Sequence, residues 1–136
     1  MKLYSLDGVH AKFDGGGMFG HAPKAMWSKW YQADEFNRVE LACRNLLIKH
    51  SDQVVLCDAA GGTYMDNVSA DRFGMTDGNT PLLKQLEKHD VSEEDVTHIF
   101  LSHLHFDHAG GVIPDWPAAS GPEWTPLFPN ARYIVS

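Results

Sequence analysis

Between Ser102 and Gly111 the chain reads Ser-His-Leu-His-Phe-Asp-His-Ala-Gly-Gly, with three histidines and one aspartate inside six consecutive residues. No other stretch constrains the fold as much. The apolar run His98-Ile99-Phe100-Leu101 before it reads as a buried strand. In extended backbone, residues two apart point to the same side, so His103 and His105 present their imidazoles together. Asp107 and His108 follow where the chain must bend, and a bend can turn a second pair of donors toward a second ion. Gly110 and Gly111 let the backbone leave the strand and pass close to whatever the donors hold. Imidazole nitrogen and carboxylate oxygen suit zinc, and also iron, cobalt or manganese. A lone histidine beside an apolar strand is ordinarily a packed core residue. Four donor-type side chains in this order point instead to metal.

The order His-x-His-x-Asp-His followed by Gly-Gly resembles the metal-binding signature of the metallo-β-lactamase superfamily. The fuller string is most similar to the branch that opens N-acyl homoserine lactones, and is similar also to glyoxalase II and to organophosphate-hydrolysing members. The resemblance implies an α/β fold, the N-terminal half of a four-layer αββα sandwich, with a mixed, mostly antiparallel sheet and covering helices. It implies two divalent ions, zinc foremost, with His103 and His105 on one and Asp107 and His108 on the other. Asp107 is then the catalytic group that passes a proton to the leaving oxygen. The implied reaction is opening of a small-molecule lactone or cleavage of an ester by metal-activated hydroxide. A glyoxalase II-like thioesterase and a phosphotriesterase are the alternatives among enzymes. A non-catalytic metal-binding half domain that pairs with a second chain is the alternative from another class.

Two further sets of residues enter through the same resemblance. Asp58 matches the aspartate of an Asp-Thr-Gly that supports the metal loop in the family, although Ala59 and Ala60 replace the Thr and the Gly. A strand-end aspartate capping a turn is the other reading of Asp58. In lactonase-like relatives the N-terminal loop lines the substrate pocket, which here implies Met18, Phe19, His21, Met26, Trp27 and Trp30. No histidine follows His108, and no aspartate is assigned to bridge the metals. Residues 1–136 therefore read as a single, apparently incomplete domain. By itself it is expected to bind metal weakly and to be inactive, and its partner is a second copy or a missing C-terminal half.

The net charge of −7 argues against a nucleic-acid surface, which needs a basic patch. No apolar run approaches the roughly 18–20 residues of a membrane span. The first residues carry no leader pattern, so a cytoplasmic protein is expected. With a tight turn at Ser51-Asp52, Cys43 faces Ala60 and Cys57 faces Leu46, which predicts free thiols. Neither a Gly-x-Ser-x-Gly nor a cysteine paired with a base is present, so a covalent route has no support.

Along the chain, Lys2 to Leu6 and Val9 to Phe13 read as two strands around a turn at Asp7-Gly8. Met18 to Tyr31 is a long apolar connection without a clean period. Asn37 to His50 and Gln53 to Ala59 form an antiparallel hairpin. Thr63 to Asn79 is polar and turn-rich, with Phe73 and Met75 as anchors. Thr80-Pro81 opens a helix with Leu82, Leu83 and Leu86 on one stripe. Ser92 to Asp95 is a capped turn, Trp116 to Pro129 a proline-rich loop, and Ala131 to Val135 a strand. The Pro81–Lys88 helix covers one sheet face, and nothing in the chain is left to cover the other.

Overall fold

The computed structural model describes residues 1–62, 64–75, 80–115 and 125–136. In chain order the elements are β1 (Lys2–Asp14), α1 (Gly15–Phe19), α2 (Lys24–Trp27), β2 (Arg38–His50), β3 (Gln53–Cys57), α3 (Asn67–Arg72), α4 (Thr80–Glu87), β4 (His98–Leu101), α5 (Phe106–Ala109) and β5 (Arg132–Val135). A single 3₁₀ turn, Gly110–Val112, follows α5. The strands form one sheet in the order β1-β2-β3-β4-β5. Its β1–β2 and β2–β3 pairs are antiparallel, and β3–β4 and β4–β5 are parallel. Among the described residues no helix is long and apolar enough to cross a membrane.

The first two strands expected from the sequence are one bent strand. Pairing with β2 runs from Lys2 opposite Lys49 to Asp7 opposite Arg44, breaks, and resumes at His10 opposite Ala42. Two residues of β1, Gly8 and Val9, thus oppose one of β2, which is a bulge rather than a turn. Glycine is required there by crowding: a Cβ on Gly8 would stand 2.5 Å from the Cys43 carbonyl oxygen and 2.7 Å from Asn45 Oδ1. The β2–β3 hairpin turns at Ser51-Asp52, with Ser51 at φ +54°. Leu46 lies opposite Cys57, as the turn position predicts, and both cysteines are free thiols.

Strand alternation sorts the apolar residues onto two faces. Leu6, Leu47, Leu56 and Ile99 are fully buried on one face, where Leu82 and Leu86 of α4, Val91 and Val96 close over them. Phe128 completes this core at 0% exposure. The expected loop from Trp116 to Pro129 lies outside the described residues as far as 124; from 125 onward it delivers Phe128 to the core. Ser92 and Asp95 form the predicted cap, with Ser92 N and Oγ donating to Asp95 Oδ2 at 2.8 and 2.6 Å. The polar stretch after residue 63 contains a helix that its composition does not announce. Asp66 caps α3 by accepting from Ser69 N, and Met75 beyond it is buried.

The opposite face has a different character. Leu46, Cys57, Phe100 and Ile134 are register partners in one row across β2, β3, β4 and β5. Leu46, Phe100 and Ile134 are 38%, 41% and 41% exposed, and Leu3 on β1 is 56% exposed. Among the described residues, one face of the sheet is buried under α4, and the other carries this partly exposed apolar row.

Candidate metal centre

β4 ends at Leu101, and its last residues are held by β3 on one side and β5 on the other. The chain then bends at Ser102, passes through His103 to His105 outside regular structure, and turns into α5, which carries Asp107 and His108. The expected same-side projection of the first pair is realised: His103 Nε2 and His105 Nδ1 stand 3.0 Å apart. The rings of His103 and His108 lie 4.2 Å apart by centroid. Asp107 Oδ2 is 3.5 Å from His108 Nε2. The four motif donors thus share one small volume at the end of β4.

Asp58, at the end of β3, is the hub behind this loop. Its Oδ1 accepts from Ser102 N at 2.8 Å, and its Oδ2 accepts from Ser102 Oγ at 3.0 Å. The same Oδ2 lies 2.9 Å from His108 Nδ1. Burial raises the Asp58 pKa, but the bonds from His108 and Ser102 outweigh it and hold the carboxyl below its ordinary value. The backbone continues the clasp: Ala59 N donates to His108 O at 2.7 Å, and Gly111 N to Ala60 O at 3.1 Å. Asp58 and Ala60 sit at φ +56° and +57°, left-handed positions that cost a non-glycine residue about 1 kcal/mol or more each. Ala60 is where the resemblance led to the expectation of a glycine, and here an alanine takes the left-handed conformation.

Gly110 of the motif is also explained by this clasp. A Cβ there would stand 2.8 Å from Gly62 N and 3.1 Å from Tyr64 Cε1. The close approach is to the chain's own 61–62 backbone, whereas the sequence suggested an approach to what the donors hold. Gly110→Ala is expected to destabilise the protein by about 1–3 kcal/mol, because a backbone neighbour cannot swing away. A fall in the urea midpoint at unchanged slope checks this. An unchanged midpoint would show that the two loops part easily.

A second small core anchors the motif from below. Phe106 lies 4.6 Å from Phe73 and 5.8 Å from Phe13 by ring centroid. These rings pack against buried Val9, Ala11, Ala60 and Met75. The sequence reading missed Phe106; its signal was an apolar side chain set among four polar donors. Beside α5 opens a cleft of about 390 Å³ lined by Phe13, Leu41, Ala42, Cys43, Arg44, Asp107 and His108. Burial, with Asp107 nearby, pushes the Cys43 thiol up to about 11, so it stays protonated at neutral pH.

The N-terminal residues expected around a substrate do not line this cleft. Trp27 is 2% exposed, stacks on Phe19 at 4.7 Å, and lies so close to Gly15 that a Cβ there would be 2.6 Å from its ring. Met18, Met26 and Trp30 are 47%, 53% and 73% exposed, and His21 is exposed as well. Trp27 and Phe19 make the small core of this segment, and its other apolar residues face outward.

The donors fit metal in kind and in spacing. Two donors on one tetrahedral zinc, about 2.0–2.1 Å from it, stand roughly 3.3–3.4 Å apart. The His103–His105 and Asp107–His108 separations of 3.0 and 3.5 Å bracket that distance. In number they fall short: among the described residues no three His, Cys, Asp or Glu side chains are arranged to hold one ion.

Residues 39–114 match the family model of the metallo-beta-lactamase superfamily, and the chain belongs to that superfamily. No curated protein matches it. Among solved structures it is similar to a probable metal-dependent hydrolase from Staphylococcus aureus, at 29% identity and a TM-score of 0.81, over 97% of this chain and 45% of that one. It is similar to AidC, a dizinc quorum-quenching lactonase, at 27% identity and a TM-score of 0.66, over 96% of this chain and 40% of that one. A quorum-quenching N-acyl homoserine lactone lactonase shares the fold at 19% identity and a TM-score of 0.57, over 99% and 57% of the two chains. The chain thus spans about half the length of the structures it matches, and its five-stranded sheet with helices corresponds to half of their fold.

Proposed function

We propose that this chain contributes the His103–His105 and Asp107–His108 donor pairs of a metal-dependent hydrolase acting on a lactone or ester. The observation that carries the reading is the spacing of the two pairs, each close to the separation of two donors on one ion. The likeness to a probable metal-dependent hydrolase and to a dizinc lactonase, each above 25% identity, supports it. His103 and His105 would hold one divalent ion, zinc foremost, and Asp107 and His108 a second, and the two would supply an acidified water and a polarised scissile carbonyl. The chain's own residues do the rest. Asp107, at the wall of the cleft, accepts the water's proton and returns it to the leaving oxygen. His108 is held by Asp58, and the apolar side chains of Phe13 and Leu41 exclude water beside it. Met18, His21, Met26 and Trp30, which are exposed, remain candidates for an outer wall of the substrate site, and Phe19 and Trp27 support them from that segment's own core.

A second reading has an observation of its own. Two donors per ion are fewer than the three or four that hold zinc, which favours a half domain completed by another polypeptide. Zinc titration of the chain, read by native mass spectrometry, tests the common part of both readings. Weak uptake of up to two ions is expected, and His103→Ala should remove one. An unchanged stoichiometry in His103→Ala, or no uptake by the parent chain, would refute the donor assignment.

A further inference from the structure

We infer that Ser102 is a positioning residue: its hydroxyl relays the Asp58 carboxylate to His103 and holds that imidazole in the tautomer that leaves Nε2 open to a metal. Three distances carry this. Ser102 Oγ is 3.0 Å from Asp58 Oδ2 and 3.0 Å from His103 Nδ1, and Asp58 Oδ2 is 2.9 Å from His108 Nδ1. An ionised carboxylate only accepts, and a hydroxyl carries one proton. Ser102 therefore spends its proton on Asp58, and its oxygen must accept from His103. The proton of His103 sits on Nδ1, and Nε2 keeps its lone pair. His108 reaches the same carboxylate directly, so its proton also sits on Nδ1. One aspartate thus sets both rings, the first through a serine and the second by contact.

The alternative for His103 is close at hand. His105 Nδ1 lies 3.0 Å from His103 Nε2. If the Ser102 oxygen is removed, the His103 proton loses its acceptor at Nδ1. It gains one by moving to Nε2, where His105 Nδ1 accepts it. The bond between the two rings then reverses: in the parent chain His105 Nδ1 donates to the His103 Nε2 lone pair, whereas with the proton on Nε2 that lone pair is gone. The serine ahead of the first histidine keeps the Nε2 lone pair in being. The backbone bond from Ser102 N to Asp58 Oδ1 persists without the hydroxyl, so the loop keeps its tether while the relay is cut.

The inference takes from the proposed function only that Nε2 of His103 is the ligating atom. It is tested without metal, on the full 136-residue chain. The chain is labelled with ¹⁵N-histidine and read by magic-angle-spinning NMR at about pH 8.5, above the ordinary imidazole range. This method reads a monomeric or an associated chain alike. In the parent chain His103 and His108 should both show a protonated Nδ1 and an unprotonated Nε2. Ser102→Ala should exchange the two signals of His103 and leave those of His108 in place. Ser102→Thr, which restores the hydroxyl, should return the parent pattern. The relay is overturned if His103 keeps its Nδ1 proton in Ser102→Ala, if His108 changes with it, or if Ser102→Thr behaves like Ser102→Ala. Zinc titration of the parent chain reports on the metal reading separately. Failure to bind zinc with the tautomers as described would sink that reading and leave the relay standing.

Discussion

Asp107→Ala is expected to lower the proposed lactone or ester turnover about 100- to 10,000-fold, the range for losing a positioned proton carrier. Zinc at the His103–His105 pair should stay in place. The asymmetry follows from position. Asp107 lies on α5 with its carboxylate at the cleft, 3.5 Å from His108 Nε2, and so belongs to the second pair of donors. His103 and His105 meet each other on the segment before the helix. The kinetic half of the test is done on the chain together with whatever supplies the remaining donors. The metal half is done on the 136-residue chain by native mass spectrometry. If Asp107→Ala loses both metals equally while turnover per bound metal pair is unchanged, Asp107 is only a ligand and the proton path lies elsewhere.

The second large effect concerns the uncovered sheet face. The 136-residue chain alone is expected to associate, because Leu46, Phe100 and Ile134 leave an apolar row across four strands open to water. Exposed apolar patches of roughly several hundred Å² drive association in soluble proteins. β5 adds unpaired strand groups at one sheet edge. Leu46→Glu combined with Phe100→Lys places charge at both ends of the Leu46–Phe100 stretch without touching the buried face. This pair should shift the chain toward monomer in size-exclusion chromatography with light scattering. A parent chain that is already monomeric, with a cooperative thermal transition and two tightly held zinc ions, would contradict the prediction. The face would then be tolerated in water, and the missing donors would lie within the chain.

Much of this protein was legible from local sequence. The 2-residue period places His103 and His105 on one side of an extended chain, and the structure puts their ring nitrogens 3.0 Å apart. The Ser51-Asp52 turn sets the β2–β3 register, and with it the separation of the two cysteines. The α4 helix and the Ser92–Asp95 cap also declare themselves, since apolar spacing and a capping side chain act within a few residues.

What only the tertiary structure decided depends on residues far apart in the chain. A glycine that reads as a turn is a bulge at Gly8, because Cys43 and Asn45, on another strand, crowd it. Phe128 joins the core through a loop with no period to announce it. Asp58 becomes the hub of the metal loop because β3 and β4 are parallel neighbours, which brings the end of β3 beside Ser102 and His108. Gly110 serves the contact between the 58–62 loop and the motif, a contact across about fifty residues of chain. Periodicity and capping are local energies and can be read along the sequence. Strand neighbourhood, and the hydrogen bonds it permits, are set by how the whole sheet assembles.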